Sequence, residues 1–237
     1  MHRSKNLYAP GNTYWVHLFM KILFLNQHFY PEIAATSQLL TDLAEDLVDK
    51  HREITVITGL PSYMKQGGRK VKRKEIYKGI TIHRVFTTSF NRHSKIGRIL
   101  NYLTFYFFAF FKVMFIKRHD IVITMSTPPY LAIIGVVLKK IKGTKLIYWL
   151  QDIYPDLAVT FGVIRGNSVI TKILKKLSLL IYSKSDKIVV LGNTMLKKLR
   201  EQYVDKDKIE IIHNWADPDD FYVKDENNPI KKELNLE

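Results

Sequence analysis

Short apolar segments alternate with longer amphipathic segments along most of this chain. The short ones are rich in isoleucine, valine and leucine, as in strands covered on both faces, and lie at residues 22–25, 54–58, 80–86, 121–125, 146–150, 187–191 and 209–212. Helical spacing of apolar residues predicts helices over residues 38–49, 94–116, 130–141, 169–182 and 194–202. This alternation predicts an α/β fold with a doubly wound, mostly parallel, Rossmann-like sheet.

Composition limits the chemistry that the chain can carry. Its 237 residues, 46% of them hydrophobic, suffice for the core of one large domain or one and a half. Because the chain has no cysteine, disulfides and thiolate metal sites are excluded. No two of the eight histidines are four residues apart, so no pair has the spacing of a helical zinc site. We therefore expect no zinc site.

The net charge of +15 favours an anionic partner. Basic residues flank apolar segments, which suits an anionic membrane surface, and they cluster at residues 65–78, 92–98, 117–118, 139–140 and 175–176. Solvated lysine faces explain the same clusters equally well. Nucleic acid is disfavoured as a partner because the aromatic residues lie in a predicted helix rather than on strands or in a basic groove.

The predicted helix at 94–116 contains an unusually aromatic stretch, ILNYLTFYFFAFFKVMFI at 99–116. Eighteen residues at about 1.5 Å each would almost cross a bilayer. A strand follows at once, however, so the helix suits a crossover between two strands of one sheet. Arg98, Asn101 and Lys112 share one stripe, and aromatic side chains fill the rest. Three interpretations of this helix remain open: a core helix, a helix that contacts lipid or a partner, and a membrane span.

The loop after the first strand is a candidate binding site. Ligands of open α/β sheets bind beyond the carboxyl ends of strands, so His28, Tyr30 and Glu32 are expected to face a cleft. Thr36 and Ser37 offer side-chain oxygens that can cap the following helix.

The loop QDIYPD at 151–156 is a second candidate, because it follows another apolar strand. Gln151, Asp152 and Tyr154 are expected at the same edge of the sheet. Asp152 can accept a hydrogen bond from a sugar hydroxyl, orient a partner side chain or cap a helix. Asp152 and Asp156 can also form an acid and base pair, although the sequence does not fix their separation.

Two further strands end in polar residues. Ser126 opens the STPP segment, where its hydroxyl can cap the next helix or contact an acceptor. Asn193 lies in a Gly-Asn-Thr segment after the strand at 187–191. There is no G-x-G-x-x-G, Walker or G-x-S-x-G motif, so nicotinamide enzymes, ATP enzymes and α/β-hydrolases are disfavoured.

Residues 20–217 resemble the N-terminal, acceptor-binding domain of the family 4 (group 1) glycosyltransferases, which have the two-domain GT-B fold. The motifs that carry the resemblance are, in order, MKILFLNQHFYPEIAATSQLLTDLAEDL, ITVITGLPSY, LIYWLQDIYPDLAV, KIVVLGNTMLKKL and IEIIHNWADPDDF. The resemblance is greatest to bacterial transferases of capsule, O-antigen and exopolysaccharide assembly.

The resemblance implies a retaining transfer of a hexose or N-acetylamino sugar from a UDP-sugar to a lipid-linked saccharide, with no metal and no tightly bound cofactor. It implies a cytoplasmic enzyme, peripheral on the inner face of the plasma membrane. It assigns a position beside the acceptor and donor phosphates to Tyr30, Pro31, Glu32, Ala34, Ala35 and Thr36. It assigns the cleft to Gln151, Asp152 and Tyr154, and the interdomain linker to Asn214 and Trp215.

The sequence departs from the family in two ways. Many relatives have glycine where this chain has Ala34 and Ala35, so a close approach of the backbone to a phosphate is less favoured. We also expect an extension at 1–19 (a misassigned start or a short interfacial arm), one domain at 20–213 and a linker or tail at 214–237, with no donor-binding domain. The expected chain is then half an enzyme, inactive alone, whether a fragment, a truncated product or a subunit of a split enzyme. There are two alternatives. One is a non-catalytic membrane-surface subunit that presents a lipid-linked acceptor, and the other is an epimerase-like sugar-nucleotide enzyme.

Overall fold

The computed structural model describes residues 20–61, 71–91 and 94–216, together with residue 233. The expected extension at 1–19, the basic residues 65–70 and most of the expected tail lie outside the described residues.

One sheet organises the described part of the chain. Its strands are β1 (Lys21–Leu25), β2 (Glu53–Gly59), β3 (Lys74–Tyr77), β4 (Ile80–Val85), β5 (Ile121–Met125), β6 (Lys145–Trp149), β7 (Lys187–Val190) and β8 (Ile209–Ile211). They lie side by side in the order β3-β4-β2-β1-β5-β6-β7-β8. All neighbours are parallel except β3 and β4, which form an antiparallel edge. The predicted mostly parallel α/β sheet is confirmed.

Helices cover both faces of this sheet. They are α1 (Ala35–Asp49), α2 (Lys95–Phe115), α3 (Ala132–Lys142), α4 (Asp156–Thr160), α5 (Val169–Lys184) and α6 (Asn193–Glu201), with a 3-10 turn at Lys206–Lys208. Alternate residues of β1 face opposite sides of the sheet, as the pleat requires. Phe24 packs in the cluster under α1, whereas Leu23 packs in the cluster under α2 and α3. A third cluster joins α5 and α6 to β6, β7 and β8.

Three local predictions differ from the structure. Between the predicted strands at 54–58 and 80–86 lies β3, which was not predicted and whose polar and alternating residues suit an exposed edge. The short helix α4 was not predicted. Helix α1 begins at Ala35, so Thr36 and Ser37 lie inside its first turn, and its N-cap Ala34 makes no side-chain capping bond. The prediction that Thr36 and Ser37 cap this helix is therefore wrong.

Helix α2 is buried along a different stripe from the predicted polar one. Asn101 lies on the buried side with Phe105, Ala109 and Val113. Its amide is satisfied there, because it donates to the carbonyl oxygen of Phe90 (3.0 Å) and accepts from the Phe90 amide (3.0 Å). The helix is long and apolar enough to cross a membrane by length and composition alone. The helix nevertheless connects β4 to β5 as a crossover, and its buried stripe packs on the sheet.

A buried arginine ties the antiparallel edge to the loop after β1. The guanidinium of Arg84 is fully buried and lies 2.7 Å from the carboxylate of Glu75. It also donates to the carbonyl oxygens of Tyr30 (2.7 Å) and Lys72 (3.0 Å). The ring of Tyr30 stacks on that of Tyr77 with centroids 3.8 Å apart. The edge hairpin therefore supports the loop that follows the first strand.

We predict that Arg84→Met destabilises the fold by about 3–5 kcal/mol, because it leaves the carboxylate of Glu75 and the carbonyl of Tyr30 without their cationic partner. Urea denaturation measures the change. Removing both charges together, in Arg84→Met with Glu75→Met, should restore part of the loss. As a control, Lys21→Met breaks the exposed Lys21–Glu53 pair and should change the free energy of unfolding far less than Arg84→Met does. If Arg84→Met and Lys21→Met changed the free energy of unfolding equally, this account would be contradicted.

Candidate functional site

A crevice forms at the carboxyl edge of the sheet, between the ends of β1 and β5. These two strands are neighbours, yet the chain continues from β1 into α1 on one face and from β5 into α3 on the other face. Such a switch point leaves a gap between the diverging loops, where open α/β sheets bind their ligands. Most of the predicted site residues follow strands that end along this edge.

Backbone groups of Gln27 join the strand ends on both sides of the crevice. Its carbonyl oxygen accepts from the amide of Gly59 and the hydroxyl of Thr58, each at 2.9 Å. Its amide donates to the carbonyl oxygen of Thr127 at 3.2 Å. The ends of β2, β1 and β5 are therefore held in one row.

Ser126 continues this row to the next strand. Its buried hydroxyl accepts from the backbone amides of Gln151 (2.9 Å) and Asp152 (3.1 Å). The sequence suggested a cap or an acceptor contact for Ser126. In the structure the hydroxyl orients the loop that carries the candidate catalytic aspartate, and its contact with an acceptor stays a prediction.

Gln151 and Asn214 form an amide pair across the crevice edge. Each side chain donates to the other, at 3.1 and 3.4 Å. The rings of Trp149 and Trp215 stack beside them, 5.6 Å apart and 19° from parallel. The segment after β8 is therefore held over the end of β6, and two predicted site residues that are distant in sequence meet there.

Asp152 is a half-buried carboxyl group at this edge. Loss of solvent raises its pKa above the ordinary value. The same effect, reinforced by the charge of Asp152, raises the pKa of Tyr154 to about 12, and the charge of Arg98 opposes this rise. Tyr154 therefore lies close enough to interact with both Asp152 and Arg98. A partly desolvated carboxylate beside a phenol is suited to accept a hydrogen bond from a substrate hydroxyl.

The loop after β1 is turned more toward the scaffold than the sequence predicted. Glu32 is buried, with its Oε2 atom 2.9 Å from Nδ1 of His28. One face of the Tyr30 ring lies against Tyr77. These side chains brace the crevice wall, and His28, Tyr30 and Tyr77 retain partial exposure.

Three small residues of the first loop and one asparagine also lie at this edge. Ala34 precedes the first turn of α1, which contains Ala35 and Thr36. Asn193 begins α6 directly after β7, next to the Leu191 carbonyl that lies 2.7 Å from Nδ1 of His213. The structure places all four near strand ends, and their contact with a ligand stays a prediction.

Sequence reasoning missed several polar groups of the crevice. The buried side-chain oxygens of Asn26 and Gln27 and the indole nitrogen of Trp149 have no hydrogen-bond partner among the described residues. Two successive amides directly after a buried strand were the available signal, since buried polar atoms are rarely unpaired. Arg98 was also missed as a site residue, because only the folded chain brings it near Tyr154. In the described ranges, no group of three or more histidines and carboxylates could hold a metal ion.

Comparison with known sequences gives one family over most of the chain. The sequence model of Glycosyltransferase Family 4 matches residues 36–220. A probable glycosyltransferase of Pseudomonas aeruginosa, WbjE, is 30% identical over 100 residues, which are 42% of this chain and 25% of WbjE.

Solved structures with the same fold are glycosyltransferases of the GT-B class. Anabaena HepE in complex with UDP-glucose aligns with a TM-score of 0.53 and 12% identity, over 91% of this chain and 50% of HepE. The catalytic domain of starch synthase IV from Arabidopsis thaliana, bound to ADP and acarbose, aligns with a TM-score of 0.55 and 11% identity, over 84% of this chain and 52% of that domain. The chain therefore spans about half the length of the solved chains that it matches.

We predict that Asp152→Asn stabilises the fold at pH 7. A carboxyl group whose pKa is raised by folding destabilises the folded state when ionised, and this penalty disappears as the pH falls through the raised pKa toward the ordinary value near 4. The variant should therefore be more stable than the wild type at pH 7, and the difference should shrink between pH 7 and about pH 4. Urea denaturation at a series of pH values measures it. Asp42→Asn, on the exposed side of α1, is the control and should show no such trend. A variant less stable than the wild type at pH 7 would refute the assigned environment of Asp152.

Proposed function

The chain belongs to Glycosyltransferase Family 4, and we propose that it forms the acceptor-binding half of a retaining enzyme that moves a sugar from a nucleotide sugar to a lipid-linked saccharide. The observation that carries this proposal is the crevice beyond β1 and β5, where Ser126 orients the loop of Gln151 and the half-buried Asp152. The proposed context is the synthesis of cell-surface polysaccharide.

Asp152 has the central role in the proposed reaction. An acceptor hydroxyl attacks the anomeric carbon of the donor sugar, a new carbon–oxygen bond forms, and the bond to the nucleotide diphosphate breaks. Asp152 accepts a hydrogen bond from the attacking hydroxyl and orients it. The amides of Gln151 and Asn214 and the phenol of Tyr154 line the same edge and offer hydrogen bonds to the acceptor sugar. The proton of the hydroxyl leaves with the diphosphate.

The proposed donor is a UDP-sugar. HepE, solved with UDP-glucose, supports this choice. Starch synthase IV, solved with ADP and acarbose, supports a nucleotide donor without favouring uridine. In the proposal, the donor-binding wall of the cleft corresponds to the half of those chains that this chain does not match. It would come from further residues of the same polypeptide or from a separate subunit, and the 237 residues alone would be inactive. No metal is required in this proposal.

The proposed site of action is the cytoplasmic face of the plasma membrane. The net charge of +15 supports an anionic surface as partner. The outer side of α2 supports it further, because it exposes large apolar residues, including Phe107 and Phe115, which are 57% and 85% exposed. Nucleic acid is not proposed as a partner.

A second candidate function is a non-catalytic subunit that presents the lipid-linked acceptor to a separate enzyme. The exposed apolar side of α2 favours it, since membrane contact needs no donor-binding domain.

We predict that a mixture of this chain with a donor-binding half, or a fusion of the two, releases UDP from a UDP-sugar when lipid-linked saccharide is present. Coupled UDP detection with a panel of donors measures turnover. Asp152→Asn should lower kcat by about 100-fold, because the attacking hydroxyl loses its charged partner. Asp42→Asn is the matched control and should leave kcat unchanged.

Three results would contradict these proposals. Turnover by the isolated chain would refute the half-enzyme proposal. Unchanged kcat in Asp152→Asn would refute the role of Asp152. Absence of turnover in every combination, with retained flotation on vesicles that contain the lipid-linked saccharide, would support the presenting subunit instead.

A further inference from the structure

An apolar groove runs between α2 and α3 on the outer side of the fold. Its volume is about 500 Å³, within the usual range of small-molecule sites. Tyr106, Phe107, Phe110 and Phe111 of α2 form one wall, and Tyr130 with two isoleucines, at positions 133 and 134, forms the other. Apart from two phenol groups, the lining is hydrocarbon. The groove therefore suits an apolar ligand.

The groove exists because α2 is packed by only one narrow stripe. Phe105, Ala109 and Val113 contact the sheet, and the aromatic residues beside them project toward α3 or outward. The rings of Phe107 and Phe111 lie 4.8 Å apart, and those of Phe110 and Phe111 lie 5.7 Å apart. Aromatic rings in mutual contact form a stiff wall that stays apolar along its length.

The inner end of the groove reaches the crevice. The Tyr106 hydroxyl donates to the carbonyl oxygen of Pro129, in the loop after β5. Tyr130 follows in that loop, with its backbone in the left-handed region (φ 67°) and its ring 6.3 Å from that of Tyr154. Tyr154 stands next to Asp152 in the chain. A ligand that lies in the groove therefore has one end at the candidate acceptor site.

A cation lies at this end of the groove. Arg98 is exposed on α2, eight residues before Tyr106, which is about 12 Å along the helix axis. Its charge acts on the Tyr154 hydroxyl. An apolar groove that ends beside an arginine complements a hydrocarbon chain with an anionic head.

We propose that this groove binds the hydrocarbon chain of a prenyl diphosphate lipid, with the diphosphate beside Arg98 and the attached saccharide at Asp152. The inference rests on the proposed function and names the part of the acceptor that the groove holds. A second copy of the chain is a poorer occupant, because each copy carries a net charge of +15 and the two would repel. An acyl chain of the bilayer would have its head at the membrane rather than at the crevice.

The first test measures affinity against chain length without any donor. Isothermal titration of the purified chain uses inorganic, geranyl, farnesyl and geranylgeranyl diphosphate. Since each added isoprene unit buries more apolar surface in the groove, affinity should rise by at least about tenfold per added unit until the groove is filled. Inorganic diphosphate should bind weakly. Equal affinity for all four compounds would overturn the proposal.

Three variants locate the binding. Ile133→Trp fills the groove and Phe111→Ala removes part of its wall, so each should weaken farnesyl diphosphate binding by at least about tenfold. Arg98→Gln should weaken the binding of farnesyl diphosphate but not the binding of farnesol. Phe115→Ser is the matched control, because Phe115 lies on the same helix outside the groove lining and is far more exposed. It should leave farnesyl diphosphate binding unchanged and reduce flotation with anionic vesicles.

Other occupants give different results, each of which would overturn the proposal. If the groove holds a bilayer acyl chain, Ile133→Trp and Phe115→Ser should weaken flotation with vesicles to the same extent. Neither variant should then change the affinity for farnesyl diphosphate. If it holds a second copy, the wild type should sediment as a dimer and Ile133→Trp as a monomer. Thermal unfolding verifies that each variant is folded. If Ile133→Trp does not fold, Phe111→Ala takes its place in these tests. The titration uses no donor sugar, so its failure is distinct from a failure of UDP release.

Discussion

The crevice depends on one row of hydrogen bonds across the carboxyl edge of the sheet. Beyond the end of β1 the regular hydrogen-bond ladder of the sheet stops, because the loops diverge to opposite faces. Gln27 resolves this by bonding to Gly59 and Thr58 on one side and Thr127 on the other. Ser126 then carries the row to the amides of Gln151 and Asp152. An unmade bond at such a buried group costs about 1–3 kcal/mol, so the row holds the loops in one arrangement.

The same edge combines a stable support with side chains that reduce stability. Arg84 and the Tyr30–Tyr77 stack brace the first loop, and the Trp149–Trp215 stack braces the segment after β8. Between them, Asp152 is partly desolvated and the side-chain oxygens of Asn26 and Gln27 are unpaired among the described residues. Polar groups that destabilise a fold and converge on one crevice are typical of binding sites. Helix α2 extends this pattern outward, since it supports the sheet with one stripe and exposes aromatic rings on the rest.

Much of the fold could be predicted because strands buried on both faces have an unbroken apolar sequence. The strand at Ile121–Met125 has the predicted bounds, and the Glycosyltransferase Family 4 resemblance is confirmed. Strand β3 was missed because an edge strand has only one neighbour and a polar sequence. Asn101 was assigned to a polar stripe, but it is buried because the Phe90 backbone satisfies its amide. The pairing of Gln151 with Asn214 joins residues 63 positions apart and depends on the order of the strands, which local patterns do not contain.

Hydrogen exchange of the purified chain, with and without a lipid-linked saccharide, tests the central claim that the crevice is the acceptor site. The account predicts slower exchange of amides at 26–36 and 150–155 on addition of the saccharide lipid, with the other end of the sheet unchanged. A separate cavity, lined by residues that include Tyr182, Tyr203 and Lys208, lies where α5 and α6 end and provides the comparison. Protection confined to that cavity, or none in the crevice loops at a saturating concentration, would contradict the account.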